Sequence, residues 1–201
     1  MRRLNEKQHE QKKIELMEKC YACYAENGLG GVGIKALGEA CGCPSSLLYF
    51  YFKDLDDLII QATEHCMSKV EDEFMAKAPT CVADVERFLD EIPYWTAQTH
   101  GKKYRLMYQV YTTPKYIEYG KKFFRGVDER YTAYAKALEG RIGLPYQLTT
   151  PLIFLLIRAC VHYALFEDEF YLQAQMRILK KGIQRYLAEY SEKNGTAETK
   201  D

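Results

Sequence analysis

Apolar residues recur along this chain at helical spacing, in about nine separate stretches. From Gln11 to Asn27 they fall at Leu16/Met17, Cys20/Tyr21 and Cys23/Tyr24, one stripe on one helix face. Asn27-Gly28 ends that helix, and the four glycines within residues 28–33 predict a connecting loop. A short second helix is predicted over Ile34 to Cys41, with Ile34, Leu37, Ala40 and Cys41 inward and a turn at Gly42. A third starts near Pro44, whose fixed φ suits a first helical turn. A fourth follows Lys53-Asp54 and runs to about Ala78, where Pro79 stops it. Pro93 predicts a kink or break in a fifth, Val82 to His100, and a short sixth spans Lys102 to Tyr111. The seventh, Pro114 to Arg141, carries the stripe Ile117, Phe124, Val127, Tyr131, Tyr134 and Leu138. Thr150-Pro151 supplies an N-cap and a first-turn proline for an eighth helix that is apolar nearly all round. The ninth, Asp168 to Tyr190, has two apolar sides and so needs two partners, its own core and a second surface. The predicted fold class is all-α.

The most specific stretch is Ile34 to Phe52. A short helix, a tight turn at Gly42-Cys43-Pro44 and a second short helix crowded with aromatics form the pattern of a helix-turn-helix. Tyr49, Phe50, Tyr51 and Phe52 are too many aromatics to bury in so short a helix. Some must pack inward and some must face solvent or a nucleic acid. An exposed Tyr reaches a phosphate and stacks on sugar, and an exposed Phe touches a thymine methyl. Ser45 and Ser46 lie beside exposed N–H groups at the start of that helix. Residues 1–10 are polar and admit two readings, a frayed terminus or a basic arm in which Arg2 and Arg3 follow a minor groove.

Residues 14–58 resemble the DNA-binding domain of the TetR family of bacterial regulators. The resemblance rests on Ala25-Glu26-Asn27-Gly28 at the first helix end, on Leu37-Gly38-Glu39-Ala40-Cys41-Gly42-Cys43 across the second helix and turn, on Leu48-Tyr49-Phe50-Tyr51-Phe52, and on Leu58. It implies an N-terminal three-helix DNA-binding domain over residues 1–55 and a helical effector-binding and dimerisation domain over 56–201. The implied DNA-facing set is Pro44, Ser45, Ser46, Tyr49, Phe50 and Tyr51, with Lys35 as a backbone contact and Lys53 also in the DNA-binding set. The implied partners are a palindromic double-stranded operator, a small-molecule effector and a second copy paired through the eighth and ninth helices. Gly33 stands where the family usually has a capping Thr, Ala36 replaces a frequent Asp, and Leu55 replaces a Lys. Two phosphate contacts are thereby missing, which predicts modest or strongly salt-dependent operator affinity.

Composition narrows the picture. The 28 basic and 28 acidic residues cancel, which excludes a generally polycationic nucleic-acid binder. Over residues 1–53 eight basic against six acidic side chains give +2, and Asp54, Asp56 and Asp57 turn the sum to −1. No run approaches a membrane span, and the first ten residues lack the apolar core of a secretory signal, so the expected compartment is cytoplasmic, with no membrane partner. The seven cysteines are irregularly spaced. Cys20-x2-Cys23 and Cys41-x-Cys43 admit core packing, zinc or redox sensing, and core packing suits the inward stripe best. No cofactor or metal is expected. None of the metalloprotease, Walker A or nucleophile-elbow motifs is present, so no enzyme is expected.

Thirteen of the seventeen tyrosines lie beyond residue 90, together with Trp95. An aromatic with a polar tip suits a pocket for an amphipathic or aromatic effector. Trp95, Tyr104, Tyr108 and Tyr131 are the expected lining, joined by Arg158 and His162, which are i, i+4 neighbours in the apolar eighth helix. An Arg buried there needs an anion.

Overall fold

The computed structural model describes residues 6–195, with side chains through residue 189. Arg2 and Arg3 lie outside the described residues, as does most of the polar tail. Among the described residues there are nine α-helices and no strand. They are α1 (Glu6–Asn27), α2 (Ile34–Cys41), α3 (Ser45–Tyr51), α4 (Leu55–Ala76), α5 (Val85–Thr112), α6 (Ile117–Arg125), α7 (Val127–Ile142), α8 (Tyr146–Phe166) and α9 (Glu169–Gly195).

The helices form two compact units. One holds the chain through Glu73 together with Lys102–Arg125; the other holds Phe74–Gly101 and the chain from Gly126 onward. Packing thus draws its line within α4 and α5 and between α6 and α7, not at the 55/56 division expected from the resemblance.

In the first unit, Leu16, Met17, Cys20, Tyr21 and Tyr24 of α1 are buried with Leu37 and Cys41 of α2, Leu48 of α3, Phe52, and Leu58, Ile59, Met67 and Val70 of α4. Polar ties join this core to the later segment. The Tyr21 hydroxyl donates to the Lys103 carbonyl at 2.8 Å. Lys102 pairs with Glu26 at 2.5 Å. Asp56 accepts from the Tyr116 hydroxyl at 2.6 Å and pairs with Lys115 at 2.5 Å. Gly120 fits closely: a Cβ there would lie 2.7 Å from the Tyr111 carbonyl oxygen. In the second unit, α8 packs against α7 and α9, burying Tyr131, Ala135, Leu138, Ile153, Leu156, Cys160, Leu172, Met176 and Leu179.

Several expected boundaries move. α1 begins five residues earlier than predicted, and the start of α2 is as predicted. Within α2, Ala40 is exposed and Gly38 buried, because α3 approaches so closely that a Cβ on Gly38 would lie 2.9 Å from the Cys43 carbonyl oxygen. The expected fifth and sixth helices are one helix, α5, running through Pro93 and Gly101. Pro93 removes one backbone hydrogen bond, which burial of its ring offsets. Gly101 marks a close approach rather than a stop, since its Cβ would meet the Ala164 carbonyl oxygen at 3.3 Å. The expected seventh helix is two, split at Gly126, the N-cap residue of α7 with φ −81° and ψ −6°. α8 starts at Tyr146 after Pro145, so Thr150 and Pro151 lie inside it. The Thr150 hydroxyl donates back to the Tyr146 carbonyl at 2.8 Å instead of capping.

That earlier start also corrects the expectation that no run approaches a membrane span. α8 is long and apolar enough to cross a membrane by length and composition. A buried core helix meets the same test, and α8 has one face against α7 and α9 and carries Arg158 and His162.

Candidate nucleic-acid interface and effector cavity

The hairpin of α2 and α3 is set by backbone chemistry. Gly42 ends α2 in the left-handed conformation (φ 65°, ψ 35°), where a side chain costs most. Its N–H and that of Cys43 satisfy the Glu39 and Gly38 carbonyls at 3.0 and 2.9 Å. Pro44 is the N-cap residue of α3 rather than its first helical residue. The Ser45 hydroxyl does not cap α3; it donates to the Ile34 carbonyl at 3.3 Å and pins the start of α2 to the start of α3. No side chain caps α2 at Gly33.

The apolar residues of α3 and its C-cap, Phe52, divide by face. Leu48 and Phe52 are buried. Tyr49 and Phe50 are 55% and 68% exposed. Tyr51 is half-buried beneath the His9 ring at 4.6 Å and meets Phe50 edge-on at 5.1 Å. Pro44, Ser46, Lys35 and Lys53 are exposed. Lys35, Gly38, Glu39, Pro44 and Ser45 also border a shallow depression of about 400 Å³. The expected DNA-facing residues therefore lie on one hairpin, with Ser45 engaged internally and Tyr51 partly covered.

Behind α3, α4 is capped by its own aspartates. The Asp57 N–H donates to Asp54 at 2.8 Å, and the Lys53 N–H donates to Asp57 at 3.0 Å. Sequence reasoning assigned these carboxylates to the helix dipole and missed the reciprocal cap, which their i, i+3 spacing signals. It also missed His9, four turns of helix away in sequence from any recognised motif.

The six expected effector residues scatter. Tyr104 and Tyr108 belong to the first compact unit, Tyr104 buried and Tyr108 half-buried. The other four belong to the second. Tyr131 is buried 5.0 Å from Phe154. Arg158 is exposed, which removes the argument from a buried guanidinium; the outer side of α8 is uncovered at that position. His162 is half-buried between Tyr171 at 4.1 Å and Phe166 at 5.0 Å.

Trp95 does line a cavity. It holds about 350 Å³ and is walled by Lys77, Thr80, Asp84, Arg87, Phe88 and Glu91 among others. Lys77 sits over the Trp95 ring at 5.3 Å, and Arg87 pairs with Asp84 at 2.9 Å. The Asp84 carboxyl is held below its ordinary range, first by the Thr80 hydroxyl and then by the Cys81 thiol. A second crevice shares Pro79 and Phe88 with this cavity and, apart from Thr149, is apolar, lined by Leu89, Leu138, Ile142, Leu152, Ile153 and Leu179 among others. Lys77, Arg87 and Phe88 escaped sequence reasoning because the loop after α4, not any motif, gathers them. Among the described residues no group of three or more His, Cys, Asp or Glu is placed to hold a metal ion.

No protein-family profile matches the chain, and no curated protein does. Solved structures do. A TetR-family transcriptional regulator from Mesorhizobium loti superposes with TM-score 0.65 at 16% identity, over 89% of this chain and 96% of that one. A TetR regulator from Haloarcula marismortui gives TM-score 0.62 at 16% identity, over 88% and 98%. FadR from Bacillus subtilis, solved with stearoyl-CoA, gives 0.52 at 16% identity, over 84% and 98%. The chain therefore has the all-α fold of TetR-family transcriptional regulators, with the helix-turn-helix at residues 34–51 in its N-terminal part.

Proposed function

We propose that this protein is a DNA-binding transcriptional regulator, a homodimeric repressor released from a palindromic operator by a small molecule. The observation that carries the reading is the outer face of α3. Two large aromatic side chains stand in solvent beside Ser46, Lys35 and Lys53, while Leu48 and Phe52 anchor the other face. Solvating two such rings side by side is costly for a helix with no partner. In a major groove Tyr49 reaches a phosphate and Phe50 a thymine methyl. Residues 1–55 are then the reading domain and 56–201 the effector and dimer domain. Pairing is through α8 and α9, whose exposed Leu155, Phe166, Phe170 and Ile178 supply an apolar surface for an identical copy.

The effector site of this reading is the Trp95 cavity and the apolar crevice beside it, with Tyr131 in the same unit. Together they suit an amphipath, its polar end toward Lys77 and Arg87 and its apolar end among Leu89, Ile142 and Ile153. The FadR structure with stearoyl-CoA is a precedent for such a ligand in this fold. Trp95 is the one tryptophan of the chain, so its fluorescence reports on the cavity directly. Band retardation of the upstream intergenic DNA tests the regulator. Retardation by the parent and its loss in Tyr49→Ala support the reading; equal binding by both sinks the recognition-helix assignment.

A second reading keeps the fold without DNA affinity, as a ligand-binding or interaction protein. The uncapped start of α2 at Gly33 and the near-zero charge of the reading domain favour it. Binding no tighter than to random DNA selects it.

A further inference from the structure

Beneath the α2–α3 hairpin two thiols meet. Cys20 of α1 and Cys41, the last residue of α2, bring their sulfurs to 3.4 Å. Both side chains are buried, and the contact spans 21 residues of sequence, so it ties α1 to the end of α2. Neither is in a disulfide.

The environment makes the two sulfurs unequal. Cys41 is lowered from the ordinary thiol value, chiefly by the hydrogen bond from Cys20 and, against the opposing effect of burial, by the Lys19 and Lys12 charges. Cys20 is raised, chiefly by the same hydrogen bond and then by burial. Thiolate character therefore collects on Cys41, with an intact thiol held against it. Low-pKa thiols with a resolving partner in contact are the ones that oxidise reversibly. The residues that follow Cys41 are less covered: Gly42 is exposed and Cys43 half-buried.

We propose that Cys20 and Cys41 form a redox-active dithiol that a hydroperoxide converts to a disulfide, and that closing the bond displaces the recognition helix. The Cys41 thiolate attacks the outer oxygen of the hydroperoxide, the O–O bond breaks, and the departing alkoxide takes a proton from water to leave as an alcohol. Cys41 is then a sulfenic acid. The Cys20 sulfur attacks the Cys41 sulfur, the S–O bond breaks, and hydroxide leaves with the Cys20 proton as water. Two thiols lose two electrons, and the hydroperoxide gains them.

Bond formation must draw the sulfurs from 3.4 Å to about 2.05 Å. Contacts within the hairpin hold its parts close together. Cys43 is bonded back to Gly38, and the Gly38 Cα leaves 2.9 Å between a notional Cβ and the Cys43 carbonyl oxygen. Ser45 is pinned to Ile34. A shift of Cys41 is passed through Gly42 to α3. The effect on DNA rests on the regulator reading above; the disulfide itself does not.

The test treats the full-length reduced protein with cumene hydroperoxide, blocks the remaining thiols by alkylation and maps peptides by mass spectrometry without reductant. The expected result is a Cys20–Cys41 linked peptide, a loss of two free thiols per chain and full reversal by dithiothreitol. Cys20→Ser stops at a sulfenic acid on Cys41 that dimedone traps, and Cys41→Ser forms no linked peptide. Free Cys20 and Cys41 after treatment of the parent overturn the proposal, as does a bridge between another pair such as Cys20 and Cys23. The parent map decides the chemistry even where a variant fails to fold. Fluorescence anisotropy of the oxidised protein on operator DNA then reads the second half: at least tenfold weaker binding supports displacement of α3, and unchanged binding by the linked protein overturns it. If the reduced protein binds no DNA, the regulator reading fails while the linked peptide still settles the dithiol.

Discussion

Two apolar surfaces of this molecule face water, and they differ in kind. The outer face of α3 is small, aromatic and edged by Lys35, Ser46 and Lys53. The outer faces of α8 and α9 are long and present Leu155, Phe166, Phe170 and Ile178, the last two 87% and 72% exposed. Aromatic rings with hydroxyl and ammonium neighbours suit a hydrated polyanion, where affinity is charge-assisted and salt-dependent. Aliphatic and phenyl groups on long helices suit a dry contact with a like surface. The same exposure of hydrophobic area thus points to opposite partners, and the polar frame around it decides which.

The largest effect that would break this comparison comes from charge on the α8–α9 face. A Phe170→Glu and Ile178→Glu double variant is expected to lower dimer affinity more than a hundredfold, about 3 kcal/mol or more, by sedimentation at micromolar concentration. A dimer that survives it assigns the face elsewhere. Next comes the frame of the hairpin. Gly38→Ala places a Cβ 2.9 Å from the Cys43 carbonyl oxygen, and a loss of about 1–3 kcal/mol in urea unfolding is expected. Tyr49→Ala and Phe50→Ala are expected to weaken operator binding about tenfold each, near 1.4 kcal/mol, with dimerisation and melting temperature unchanged. Loss of dimerisation in either would merge the two surfaces into one.

The smallest effect is a pH dependence in the first unit. Lys115, and after it the Tyr116 hydroxyl, hold the Asp56 carboxyl below its ordinary value. A depressed folded value means that the stabilisation is present above the unfolded value of about 3.9 and disappears as pH falls through the folded one. The pair is partly exposed, so solvent screening limits it to under about 1 kcal/mol. Asp56→Asn should lower the melting temperature slightly at pH 7 and match the parent near pH 2. An equal deficit at both pH values would make the Asp56 contribution one of packing rather than charge.

The hairpin was legible in the sequence because its signals are local. Gly42 is needed for its φ, Pro44 for the turn, and the surplus of aromatics leaves Tyr49 and Phe50 exposed. The body was less legible because its prolines and glycines are answered by tertiary contacts. Pro93 and Pro151 sit inside helices, Gly101 and Gly120 mark close approaches, and the chain breaks at Gly126. Arg158 shows the same limit: an arginine in an apolar run reads as buried, yet α8 turns that edge to solvent. The Trp95 cavity was visible only through its tryptophan, since Lys77 and Arg87 come together by the path of the chain between α4 and α5. The Cys20–Cys41 contact was within reach as a spacing pattern, but its geometry depends on how α1 crosses α2.

The central claim is that α3 reads DNA. The most direct test is fluorescence anisotropy of the purified protein on its own upstream intergenic DNA across a salt series, with the Tyr49→Ala protein and random DNA beside it. The account predicts nanomolar binding that beats random DNA, weakens steeply with salt and falls about tenfold in the variant. Equal affinity for both DNAs, unmoved by the loss of Tyr49, would contradict it.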